Sequence, residues 1–508
     1  MKTKFIPIDY DYFDINGNNF IKIIGRNDEG KRVCVIDSCD VYLWAILKDN
    51  VSVKKTSKII EKISKIKLNV KGRNTKVERV EQQNKKFLEK PVNALKIYAT
   101  NYKDLHDIAD KLDFKEIDKR RGYDLGYITH YIIEKKIYPL QSYEISGELI
   151  SGDDFGGIAK ALDVDYCLRL VSSKEIKNNF FKPKTLAYDI ETDSVKLGEG
   201  EILMISLVSD NFKKVITWKK SDSKNEQDFV EIVNNEAELI EKFVDYIKEI
   251  SPDFLVGYFS DGFDLPYLKA RAEKHRVKLA LGLDDSIPKF SRGNELRGKI
   301  NGIIHLDILK FIRTSYSQYM KSETLSLNEV SKEFLGDSKK EFNFKHSSEI
   351  NDNEWNKYYE YNLHDSVLTY NLFEKFFPDL IEFTRIIKEP VYDVSRNGLS
   401  KQVENYVIHN LERFNEIPEK RPTYNEINER RSKRVQGAFV FEPTPGLYKD
   451  ISIFDFTSMH TSIIISMNLS RGTLLNKKTE NSYETPEIEI GDKKRDFIFQ
   501  KNLVFFLY

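Results

Sequence analysis

Between residues 185 and 258, four strand-like runs (185–190, 202–208, 215–218 and 254–258) alternate with helical stretches such as 237–250, and this rhythm restricts the fold more than any other feature. It belongs to a sheet covered by helices, an α/β arrangement. Residues 1–130 carry shorter alternating runs, 33–36 and 42–47 among them, broken by Asn-Gly and Asp-Glu-Gly turns. That pattern reads as a strand-rich α+β unit. In residues 53–90 lysines crowd around Ile59, Ile60, Ile63 and Ile66, which fall on one helical face. The lysines are then either a solvated face or a phosphate-contacting one.

A chain of 508 residues has room for roughly three domains of about 150 residues each. A 40% hydrophobic content, with 32 Phe and 27 Tyr, excludes wholesale disorder. The 80 basic and 80 acidic side chains cancel, so any polyanion footprint must be local. Apolar runs such as 463–465 and 503–507 are far shorter than the ~20 residues of a membrane helix. The charged N-terminus and three cysteines (Cys34, Cys39 and Cys167), without CxxC spacing, fit a reducing cytoplasm and no structural zinc. A Ser, Gly and Asp cluster at 151–157 suggests an insertion ahead of a domain boundary near 178. A helix-rich section spans 355–414, and a basic stretch with a surplus of three positive charges follows at 419–434, before strand character returns at Ala438.

Acidic residues sit where the elements end. Asp189 and Glu191 close the 185–190 run two residues apart, so on a strand they project from one face. Two such carboxylates repel unless a divalent cation lies between them, and hard oxygen donors suit Mg²⁺ or Mn²⁺. Asp-x-Glu alone is uninformative in a chain with 80 acidic residues. Asp264 opens a helix with Pro266 in its first turn, the place of an N-cap. Tyr361 and Asp365 stand one turn apart on a helix over 355–376, which would equally suit a surface hydrogen-bonded pair. Farther on, 451–454 alternates as a strand and delivers Asp455.

Order and context join these signals: Asp-x-Glu ending a strand, Phe-Asp opening a helix about 75 residues later, and Tyr-x-x-x-Asp in a helix about 100 residues beyond. The arrangement resembles the three exonuclease motifs of the proofreading domain in family B DNA polymerases, carried on a ribonuclease H-like fold. Lys90-Pro91, Ile304-His305-Leu306-Asp307, the 325–330 run and Asp393-Val394-Ser395-Arg396 look like archaeal members. The resemblance implies that Asp189, Glu191, Asp264 and Asp365 hold two Mg²⁺ or Mn²⁺ ions, with Tyr361 helping to orient the attacking water. Asp455 and its surroundings resemble the first palm motif, which makes Asp455 a metal ligand for nucleotidyl transfer and puts Ser458 and His460 at the nucleotide. Phe259, Arg434 and Gly437 fall at DNA-handling positions, and Pro91 and Ala94 match the neighbourhood of a pocket that detects template uracil. His460 replaces the family's usual Tyr, Phe259 its usual Asn, and Val435 the Tyr of Tyr-x-Gly-Gly, which puts sugar discrimination and substrate handling in question.

The second palm aspartate motif and the fingers helix have no counterpart in the sequence. The expected organisation is α/β and α+β multidomain: an N-terminal α+β domain at 1–178 with an insertion near 141–178, a ribonuclease H-like 3′–5′ exonuclease domain at 179–376, a helical connection at 377–418, and an incomplete palm at 419–508. The implied function is that of the large portion of a DNA-directed DNA polymerase with proofreading. It would act on primer-template and single-stranded DNA, with deoxynucleoside triphosphates, a complementary small polymerase subunit and a sliding clamp as partners, and no membrane. The rivals are a stand-alone 3′–5′ exonuclease with a vestigial palm and a non-catalytic DNA-binding scaffold subunit.

Overall fold

A computed structural model describes residues 1–177, 182–219, 227–292, 295–339, 350, 352–433, 437, 439–490 and 493–501. The expected boundary at 178, Arg434, Val435, Ala438 and the apolar 503–507 run lie outside the described residues. The chain divides into two compact units, Met1–Val41 with Leu125–Asn410, and Tyr42–Asp124 with Leu411–Tyr508. The expected N-terminal domain is therefore divided between both units. The architecture is mixed α/β and multidomain.

The first unit opens with a closed barrel, in which Lys2–Ile15, Asn18–Arg26 and Arg32–Asp37 are joined by Tyr166–Glu175 and Tyr143–Leu149. Cys34 and Cys167 are partners across two of its parallel strands, both buried as free thiols. Beside the barrel in sequence comes a six-stranded sheet ordered Val230–Ile232, Phe212–Thr217, Ile202–Ser209, Thr185–Thr192, Phe254–Gly257 and Ile304–Asp307. Its acidic strand, Thr185–Thr192, pairs antiparallel with Ile202–Ser209 and parallel with Phe254–Gly257, so neither edge is open.

Both faces of this sheet are covered, which explains why Thr185–Tyr188 is buried without alternation. Leu186, Tyr188 and Ile190 pack in one cluster with Leu239, Phe243 and Leu268 from helices Glu236–Ile250 and Asp264–His275. On the neighbouring strands Phe254, Val256, Ile304 and Leu306 pack with Leu368, Leu372, Phe373 and Phe376 of a long helix, Asp352–Ile387. Each fully buried Leu or Phe here contributes about 1.5–3 kcal/mol. This helix outlasts the expected 355–376 because its apolar stripe continues through Leu380 to Ile387, with Pro378 tolerated inside it.

In the second unit, a strand Val41–Leu47, a helix Val53–Ser64, strands Lys67–Val70, Arg73–Phe87 and Lys90–Ala99, a helix Leu105–Lys111 and a strand Ile117–Arg121 form a five-stranded α+β layer. The lysine-rich helix ends at Ser64 with Ile59 and Ile63 buried, and Ile66 falls beyond it because the chain turns into the following strands. The same unit holds helices Tyr424–Ser432 and Met459–Ser466 and short strands after Leu474. The strand expected at 451–454 is not there: the described residues 439–456 form no strand. An alternating run becomes a strand only when another strand satisfies its backbone, and none among the described residues does so. No helix among them is long and apolar enough to cross a membrane.

Candidate metal centre

Asp189 and Glu191 lie on the face of the acidic strand that meets the long helix, with Ile190 turned the other way into the apolar cluster. Asp365 of that helix joins them, and one carboxylate oxygen from each of Asp189, Glu191 and Asp365 lies within 4.8 Å of the others. Asp264 stands outside this group of three but against the same strand end, its Oδ1 accepting from the Ile190 N–H at 3.3 Å. It does not cap its helix. The cap position is Phe263, and Asp264 is the first helical residue, so its carboxylate is free to face the strand. Tyr361 is one turn before Asp365, and its Oη is 3.2 Å from Lys339 Nζ.

Lys339, Tyr358 and Asn362 have no place in the sequence reading, yet each binds one of the carboxylates. Lys339 forms an ion pair with Asp365 Oδ2. Tyr358 Oη donates to Glu191 Oε2 at 2.9 Å, and Asn362 Nδ2 donates to Asp189 Oδ2 at 2.8 Å. Tyr358 and Asn362 precede Asp365 by seven and three residues, a helical-face spacing that could have revealed them. Lys339 comes from a loop with no periodic relation to the motif.

Electrostatics set this cluster apart. Burial, then the Asp365 and Asp264 charges, push Asp189 well above the usual carboxylate range. Burial and Asp365 push Glu191 up to about 8, against the pull of its Tyr358 hydrogen bond. Burial raises Asp264 to about 7 although backbone N–H groups hold it down, and burial raises Asp365 against the opposing effect of Lys339. Like charges converge here, Lys339 alone among the described residues forming an ion pair with them, and Asp365 Oδ1 is buried without a hydrogen-bond partner. Converging hard, anionic oxygens with one buried oxygen unclaimed fit a divalent cation, whose charge would reverse these shifts.

Residues 119–330 match the family model for DNA polymerase family B, exonuclease domain, and residues 390–506 match that for DNA polymerase family B. The chain belongs to DNA polymerase family B. A DNA polymerase of Pyrococcus glycovorans is 30% identical over 494 residues, covering 95% of this chain and 56% of that protein. DNA polymerase 1 of Pyrococcus abyssi is likewise 30% identical over 492 residues, with the same coverage. The chain thus spans about half the length of these curated relatives. The structure of the family B DNA polymerase from the hyperthermophilic archaeon Pyrobaculum calidifontis shares the fold, with a TM-score of 0.68 at 22% identity over 98% of this chain and 61% of that one.

The remaining residues singled out in this family B chain lie apart from the carboxylates or in the second unit. Phe259 sits at φ +63° in the turn before Asp264, 48% exposed, with its N–H bonded to Asp307 Oδ1 at 3.0 Å. That turn is braced from below. Asp261, held far below the usual carboxylate range by His305 and Arg396 despite its burial, accepts from Arg396 Nε at 2.8 Å and from the Gly298 N–H at 2.8 Å. Asp455 is exposed, as are Gly437, Ser458 and His460, and Ser458 takes a left-handed φ of +50° ahead of helix Met459–Ser466. Pro91 is exposed on its hairpin, whereas Ala94 is buried with Trp44, Phe87 and Ile417.

Proposed function

We propose that this chain is the exonuclease-bearing portion of a DNA-directed DNA polymerase, removing nucleotides from DNA 3′ ends with Mg²⁺ or Mn²⁺ at Asp189, Glu191, Asp264 and Asp365. The observation that carries this reading is the convergence of three carboxylate oxygens within 4.8 Å, from the two elements on which the sequence places two of the motifs. When bound, two divalent cations supply a water of lowered pKa and charge neutralisation on the attacking and leaving oxygens. The chain's own groups prepare the site. Asp189, Glu191 and Asp365 present oxygens from a strand and a helix locked together by core packing, Lys339 offsets part of their charge, and Tyr361 Oη lies beside Lys339 to help orient a water. The half-exposed ring of Phe259 offers a frayed base a stacking surface.

Synthesis, in the same proposal, takes place when a second chain supplies fingers, remaining palm and thumb over the Asp455 segment, with primer-template and deoxynucleoside triphosphates as substrates and a sliding clamp as a further partner. Support comes from the apolar side chains left bare there: Phe439, Phe441, Ile453, Phe454 and Phe456 are each 72% exposed or more. Such a run is an interface awaiting cover. The purified chain should shorten a 3′-labelled single strand with Mg²⁺, and Asp189→Ala should abolish this. Failure of the wild-type chain to cut, or undiminished cutting by Asp189→Ala, overturns the nuclease assignment.

A further inference from the structure

We infer that Tyr358 and Asn362 are positioning residues for metal binding, a two-point clamp on the long helix that orients Glu191 and Asp189 so that their second oxygens meet the cation. The inference rests on the nuclease reading of the same site.

The geometry is matched in step. The two donors are four residues apart on the helix, a rise of about 6 Å, and their acceptors are two residues apart on the strand, about 6.6 Å. Each donor therefore faces its own carboxylate, Tyr358 Oη on Glu191 Oε2 at 2.9 Å and Asn362 Nδ2 on Asp189 Oδ2 at 2.8 Å. Lys339 holds Asp365 Oδ2 in the same manner. Each of the three carboxylates thus gives one oxygen to a protein donor. Among the described residues no hydrogen bond reaches Asp189 Oδ1, Glu191 Oε1 or Asp365 Oδ1.

Asn362 is pinned at its backbone as well. Ser206 Oγ from the neighbouring strand donates to the Asn362 carbonyl at 2.9 Å and lies 2.6 Å from Ser366 Oγ, all of them fully buried. That contact fixes the axial register of helix against sheet. The Asn362 amide keeps one orphan, since its Oδ1 is buried without a partner. A buried unsatisfied acceptor is costly, and an apolar side chain of the same shape would remove that cost. What the amide provides instead is the N–H on Asp189. Both clamp donors are neutral, so they orient the carboxylates without placing a second positive charge where a cation must sit.

Loss of a group that orients a metal ligand typically weakens metal affinity about 10–100-fold. The test is Mn²⁺ titration of the full chain, followed by electron paramagnetic resonance of the free ion, for wild type, Tyr358→Phe, Asn362→Leu and Tyr359→Phe. Tyr359 is an equally buried neighbour whose hydroxyl donates to the Lys219 carbonyl, away from the carboxylates. Tyr358→Phe and Asn362→Leu should each raise the Mn²⁺ dissociation constant roughly tenfold or more, and Tyr359→Phe should leave it unchanged. Excision should then need more metal and recover its rate at saturation. Tyr358→Phe deletes a single oxygen and carries the test by itself if Asn362→Leu folds poorly. Unchanged affinity in Tyr358→Phe, or an equal loss in Tyr359→Phe, overturns the clamp. Mn²⁺ bound by the wild type without excision overturns the nuclease reading and leaves the clamp to be judged on affinities, and no Mn²⁺ binding overturns both.

Discussion

Asp189 and Asp455 each follow a short apolar run, yet the two runs reach opposite ends. Leu186 and Tyr188 before Asp189 are 0% exposed, whereas Ile453 and Phe454 before Asp455 are 91% and 92% exposed. The first run has a strand on either side and helices over both faces, and the second has no strand partner among the described residues. An acid becomes a positioned ligand when its backbone is fixed by pairing and its neighbours are fixed by packing. Motif residues alone do not position it. In the first unit strand and helix hold three carboxylate oxygens within 4.8 Å of one another, and around Asp455 only the residue types of the motif are present.

The sharpest way to break this contrast is to remove one acid from each region. Asp365→Ala should lower 3′ excision by roughly 10³-fold or more, because losing a metal ligand forfeits several kcal/mol of charge stabilisation at about 1.4 kcal/mol per tenfold. Asp455→Ala should leave excision by the same chain within about twofold, since its carboxylate is exposed and belongs to the other unit. Rates on a labelled single strand measure both. Equal losses would mean that the Asp455 segment takes part in excision and that the contrast between the regions is false.

What could be read from the sequence follows the same physics. Period two put Asp189 and Glu191 on one face, and a four-residue step put Tyr361 and Asp365 on another, because both are local regularities of backbone geometry. Asp264 opens its helix as expected but does not cap it: Phe263 takes the cap position, and the carboxylate turns to the Ile190 N–H, a tertiary partner that no local rule can name. Alternation at 451–454 defines two faces but says nothing of which strand would pair with it, and the strand did not form. Lys339 reaches Asp365, 26 positions farther along the chain, a proximity that only the folded structure reveals.

A second test uses acidity. Glu191 is pushed up to about 8 and Asp264 to about 7, so without metal both keep protons in the fold that the unfolded chain releases near pH 4. Their stabilising contribution is complete below pH 4 and is lost as pH rises through about 7–8, because the folded state then binds more protons than the unfolded one. Glu191→Gln mimics the protonated form. In metal-free protein the melting temperature of Glu191→Gln relative to wild type should rise between pH 5 and pH 8, by about 1–2 °C for each kcal/mol relieved. Added Mn²⁺ should raise the wild type at pH 8 by mass action on the folded state. A Glu191→Gln advantage that stays constant from pH 5 to pH 8 would deny that burial and neighbouring charge hold a proton on Glu191 in the metal-free fold.

The smallest effect is expected at the most conspicuous hydrophobes. Leu186→Ala removes a fully buried side chain from the cluster that carries the acidic strand, and large-to-small changes in such cores cost about 2–5 kcal/mol. Phe454→Ser removes a larger side chain, but one that is 92% exposed and touches no core, so stability should change by no more than about 0.5 kcal/mol. Urea unfolding of the isolated chain followed by circular dichroism distinguishes the two. Because Phe454 loses nothing in the isolated chain, any cost of Phe454→Ser should emerge only when the proposed second chain is present, as weaker association. A Phe454→Ser chain destabilised as much as Leu186→Ala would show that the Asp455 segment is already packed, and would remove the reason for a partner there.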